Sequence, residues 1–76
     1  MLPVQCKMAR VALGLGVREL AALAKVAPAT ISRLEAGEEL KERTIDDIQS
    51  ALETAGIIFI DQNGNGPGVR LRDRQD

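Results

Sequence analysis

The 76 residues are 45% apolar and 28% charged, with Phe59 as the one aromatic side chain and a formal net charge of −1, which suffices for one small domain and leaves no material for a second core. Without His, and with Cys6 alone, the chain excludes a Cys/His zinc site, an internal disulfide, a Cys-His dyad and a Ser-His-Asp triad, so neither an enzyme nor a metal or cofactor protein is expected. No apolar run approaches the roughly 20 residues that span a bilayer, and a cytoplasmic protein without a membrane partner is expected.

In chain order, Pro3 suits a first helical turn, and Val4, Met8, Val11 and then Leu15 recur at helical spacing until Gly14 and Gly16 break the chain, so a first helix is predicted over about 3–13. A second helix over about 17–24 presents Leu20, Leu23 and Ala24 inward, with Glu19 near its positive end. After Lys25, Val26 and Ala27, Pro28 opens a third helix over about 28–36, which buries Ile31 and Leu34 and stops at Gly37. A polar loop from Glu38 to Arg43 follows. Thr44 then caps a fourth helix over about 45–55, with Ile45, Ile48, Leu52 and Ala55 on one face.

The period changes after Gly56. Ile57, Ile58, Phe59 and Ile60 form a β-prone block, Asn63 to Gly68 reads as a turn, and Val69-Arg70-Leu71-Arg72 alternates, which together predict a hairpin. The first strand is apolar on both faces and needs cover on both. Its own helices can supply one side, and a second protomer the other, because a lone hairpin is marginal in water. The expected dimer contacts are therefore Ile57, Ile58, Phe59, Ile60, Val69 and Leu71. The alternative is a hairpin that simply wraps its own helices.

The small net charge conceals its layout. Residues 1–34 carry Lys7, Arg10, Arg18, Lys25 and Arg33 against Glu19 alone, and residues 35–61 carry eight acids against Lys41 and Arg43. A basic stretch followed by an acidic one permits nucleic-acid binding without requiring it.

Val17 to Ala36 has the layout of a helix-turn-helix: a short helix, a short turn and a second helix. With Leu20, Val26, Ile31 and Leu34 turned to the interior, Pro28, Ala29, Ser32 and Arg33 remain on the outer face or the front of the third helix, and Thr30 lies at its side. A helix presented in this way fits a major groove about 12 Å wide. Arg33 is its only long donor, and Pro28 and Ala29 offer only apolar contact.

These residues resemble a family. Leu-x-Val-Arg-Glu-Leu-Ala over 15–21, followed by Val-Ala-Pro-Ala-Thr-Ile-Ser-Arg-Leu-Glu-Ala-Gly over 26–37, is similar to the Xre/Cro type of bacterial and phage helix-turn-helix regulators, a likeness that covers about residues 3–56. The remainder resembles the β extension of small bacterial members. The resemblance implies a mainly α fold, a four-helix lambda-repressor-like domain over 1–56 with a short C-terminal β-hairpin over 57–76 for dimerisation. It also implies a sequence-specific regulator, a repressor or autoregulator that binds double-stranded DNA as a homodimer on an inverted repeat. Carried over by position, Pro28, Ala29 and Arg33 would face bases, and Thr30 and Ser32 would line the groove walls. Arg18, Lys41 and Arg43 would hold backbone phosphates, and Arg10 would pair with Glu35. Two positions depart from the pattern: Val17 stands where a Gln is common, and Lys25 where a Gly is common. An antitoxin-like module that binds a protein partner is the alternative function.

Overall fold

The computed structural model describes residues 1–61 and 64–73. Four helices, α1 (Pro3–Ala12), α2 (Val17–Ala24), α3 (Pro28–Glu35) and α4 (Glu42–Thr54), precede two strands, β1 (Ile57–Ile60) and β2 (Gly68–Leu71). This is a mainly α fold with a short antiparallel hairpin at its C-terminal end.

In α1, Pro3 occupies the first position, where its missing N–H costs nothing. The Leu2 N–H donates to Gln5 Oε1 at 2.8 Å and closes the first turn. The apolar stripe at helical spacing is not the buried face of this helix. Gln5, Cys6 and Ala9 are buried, whereas Val4 is 53% and Val11 61% exposed. Small Cys6 and Ala9 let α1 lie close to the core, and two polar groups fix its rotation. One is Arg10, described below. The other is Gln5, whose Nε2 donates to the carbonyls of Ile60 at 3.1 Å and Gly68 at 3.0 Å, fastening the hairpin to α1.

The expectation for α2 also needs correction. Leu20, Ala21 and Ala24 form its buried stripe, and Leu23, expected inside, is 53% exposed. Ala21 and Ala24 permit a close approach of neighbouring helices, and Leu23 falls to one side of that contact. The core consists of these three residues with Cys6, Ala9, Ile31, Leu34, Ile48, Leu52 and Ile57.

α4 begins three residues earlier than the sequence predicts. Lys41 is the N-cap, in an extended conformation with its carbonyl accepting from the Thr44 and Ile45 N–H groups at 3.0 and 3.1 Å, so Thr44 is not a cap. Glu42 then lies in the first turn, at the positive end of the helix. Arg43 is a residue of the first turn of α4 and not of a loop. At the other end Ala55, expected on the buried face, is exposed as the C-cap.

The strands pair as Ile57↔Leu71, Ile58↔Arg70, Phe59↔Val69 and Ile60↔Gly68, and the Arg72 N–H extends the ladder to the Gly56 carbonyl at 2.7 Å. Alternation puts Ile57, Phe59, Val69 and Leu71 on one face, and all four belong to or pack on the core. Ile57 is only 2% exposed, so it has no surface left for the dimer contact set. Ile58, which is 37% exposed, lies on the outer face with Ile60 and Arg70. Of the predicted turn, Asn63 lies outside the described residues, as does Arg74 beyond the second strand.

Candidate nucleic-acid interface

Only Lys25, Val26 and Ala27 join α2 to α3. To reverse the chain so quickly, Lys25 takes the left-handed conformation, φ 58° and ψ 43°, and the Val26 N–H returns to the Ala21 carbonyl at 3.0 Å. A residue with a Cβ held there costs about 1–2 kcal/mol. Lys25→Gly relieves that strain and gives back part of the gain through its freer unfolded chain. The variant is expected to be more stable by about 0.5–1 kcal/mol, measured as a shift in urea midpoint at unchanged slope.

Ala27 is the N-cap of α3, with Pro28 in the first turn. Ile31 and Leu34 anchor the helix at 0% and 2% exposure. Their opposite side carries Pro28, Ala29, Ser32 and Arg33, all exposed, and Thr30 is half-buried at the flank. Ala36, not singled out from the sequence, is exposed on the same side. At the far end Gly37 adopts φ 89°, and the Gly37 and Glu38 N–H groups cap the last carbonyls at 3.0 Å each. The outer side is thus a strip of small residues beside one guanidinium.

The elements before and after α3 carry further cations. Arg18 is exposed in the first turn of α2, and Lys41 and Arg43 are exposed at the start of α4. One open cleft between α3 and α4 is lined by Thr30, Arg33 and Lys41 together with Glu39; Arg18 and Arg43 lie outside it. Arg33 Nε is 3.6 Å from Glu38 Oε1, with both side chains more than half exposed. An ion pair so open to solvent is worth little and leaves the guanidinium available to other acceptors.

Behind this surface, Arg10 of α1 clamps the end of α3. Its Nε donates to Glu35 Oε2 at 2.8 Å, its Nη2 to Glu35 Oε1 at 2.9 Å, and its Nη1 to the Leu15 carbonyl at 3.1 Å. Two parallel bonds to one carboxylate fix orientation as well as distance, and the side chains are only 15% and 10% exposed. Hydrogen bonds from the guanidinium hold the Glu35 carboxyl below the usual carboxylate range. Cys6 lies against the same carboxylate, Sγ to Oε2 at 3.6 Å. Burial first, and then the Glu35 charge, push its thiol up to about 12. Cys6 is therefore a packed residue without thiolate character at neutral pH. In the native protein it is expected to resist a thiol-specific chromogenic reagent at pH 8 and to react fully in denaturant, which a time course of released chromophore would measure.

Among the described residues no cluster of His, Cys, Asp and Glu could hold a metal ion, and no helix is long and apolar enough to cross a membrane. The arrangement of α2, turn and α3 is matched by a family model, helix-turn-helix, over residues 7–55. The chain belongs to the Xre/Cro-type helix-turn-helix family. It is a DNA-binding helix-turn-helix regulator. No curated protein matches the chain.

Proposed function

We propose that this regulator is a repressor or autoregulator that binds an inverted repeat as a homodimer, with α3 of each copy in the major groove. The observation that carries the proposal is the outer side of α3, which presents small exposed residues and Arg33, with Lys41 on the cleft beside it. In this reading Pro28, Ala29 and Arg33 meet base edges, and Thr30 and Ser32 line the groove. Arg18, Lys41 and Arg43 neutralise phosphates, which position the protein without reading sequence. The hairpin joins the two copies through the outer Ile58 and Ile60 and the rims of Phe59, Val69 and Leu71. The protein would act in the cytoplasm, on the nucleoid.

The experiment is selection of bound sequences from a random duplex pool at near-physiological salt. Enrichment of a palindrome supports the proposal. A second reading, an antitoxin-like module that binds a protein partner, is favoured by the exposed apolar side of α1, where Leu2, Val4 and Val11 are 45%, 53% and 61% exposed. A folded dimer that enriches no duplex would replace the first reading with the second.

A further inference from the structure

Arg33 is the one long donor on the outer side of α3, and its own helix offers it no counter-ion. The positions one turn away are Ala29, Thr30, Ala36 and Gly37, none with a carboxylate. Among the described residues its only ionic partner is Glu38, beyond the end of the helix, with Oε1 3.6 Å from Arg33 Nε.

The backbone builds this contact. Gly37, at φ 89°, turns the chain back onto the last turn of α3, and the Glu38 N–H donates to the carbonyl of Arg33 itself at 3.0 Å. Glu38 is thus tied to the residue whose side chain it meets. Helix stability does not account for an acid at this place, because the C-terminal end of a helix is partially negative and favours Lys, Arg or His. The next residue, Glu39, lines the same cleft as Arg33 and Lys41, but among the described residues it is ion-paired with neither.

The edge of Arg33 that Glu38 faces decides which donors stay free. A guanidinium grips a pair of acceptors side-on, through Nε and one Nη, or end-on, through both Nη groups. A carboxylate at Nε takes the side edge and leaves the end-on fork clear, and guanine offers O6 and N7 to such a fork. We propose that Glu38 is a positioning residue for base reading, which holds Arg33 by its Nε edge so that the two Nη groups meet guanine end-on. In water the contact is loose at 3.6 Å, and it strengthens as DNA displaces water from the cleft. A long side chain already held at one edge then loses less freedom on docking. The same carboxylate repels phosphates, so it opposes binding wherever no guanine engages Arg33. Glu38 therefore sharpens base preference and weakens random binding together. This inference rests on the base contact proposed above for Arg33.

The test uses the full chain with the duplex obtained by selection and a random duplex, and affinity is followed by fluorescence anisotropy. The guanine read by Arg33 is the position where base substitution weakens binding of the wild type but not of Arg33→Ala. At that position Glu38→Ala, checked for helical content by circular dichroism, is expected to lower discrimination about three- to fivefold, the upper part of the range for an exposed ion pair, while binding random duplex more tightly. Glu38→Gln, which keeps an acceptor of the same reach, should retain more of the discrimination. Glu39→Ala removes the same charge from the same cleft without disturbing the Arg33 pair, and should tighten random binding at unchanged discrimination. Wild-type discrimination in Glu38→Ala, or equal losses in Glu38→Ala and Glu39→Ala, overturns the inference while leaving the Arg33 contact intact. Wild-type base preference in Arg33→Ala, or failure to enrich any duplex, removes both the inference and the reading on which it rests.

Discussion

Arg10→Ala is expected to lower the thermal unfolding midpoint by about 10–20 °C, read by circular dichroism. The substitution leaves Glu35, only 10% exposed, as a carboxylate without its counter-ion. Breaking a fully buried pair costs about 3–5 kcal/mol, and the partial exposure here reduces that to about 2–3 kcal/mol. In a domain of this size each kcal/mol shifts the midpoint by about 4–8 °C. The pH dependence provides an independent check. Because the Glu35 carboxyl is held below its ordinary value of 4.5, the unfolded chain takes up a proton at Glu35 before the folded one does. The clamp's contribution is therefore fully present above about pH 5.5 and is lost as the pH falls through 4.5 and below. The wild type should lose stability over that interval, and Arg10→Ala should lose much less, since only the weaker Cys6 hydrogen bond and the Lys7 charge then favour the ionised Glu35, against its burial.

The second large effect concerns DNA. Arg33→Ala is expected to weaken binding to the selected duplex by about 10- to 100-fold, corresponding to about 1–3 kcal/mol for a bidentate contact to guanine, and to affect random duplex far less. Arg43→Ala should weaken both alike and make the dependence of log K on log salt shallower by about 0.9. Titrations of both duplexes at several salt concentrations separate the two roles. Equal losses on both duplexes for both variants would contradict the division into base and phosphate contacts. In the free protein Arg33 lies near Glu38 on a loosely held, exposed pair, so the contact to guanine does not have to break a strong competitor.

Much of this was legible in the sequence because the signals were covalent or periodic. Pro28 and Gly37 bracket α3 through fixed φ and left-handed φ, and Ile31 and Leu34 define its inner side, so the exposure of Pro28, Ala29, Ser32 and Arg33 follows from the periodicity. The hairpin followed from its alternation and its glycines. What the sequence hid were positions where polar partners decide the outcome. Val4, Met8 and Val11 carry the apolar period of α1, yet the helix is rotated to bring Gln5 to the hairpin carbonyls and Arg10 to Glu35. Neither partner is near in sequence. The early start of α4 was equally hidden, because Lys41 caps through its backbone alone and a lysine gives no cap signal. Leu23 was misplaced because α2 has only two turns, and a short helix beside alanine-lined contacts leaves a large side chain at its border.

α1 holds α3 with one side chain and the hairpin with another. Arg10 grips α3, and Gln5, about 7.5 Å away along the same helix, grips both strands of the hairpin. In a dimer joined at the tails, the gap between the two recognition helices is then set by a rigid strut in each copy and not by a pliable tether. Such a protein behaves as a caliper: a one-base-pair change in operator spacing must be absorbed by twisting the DNA, and Gln5→Ala, which loosens one jaw, should broaden the range of spacings that bind.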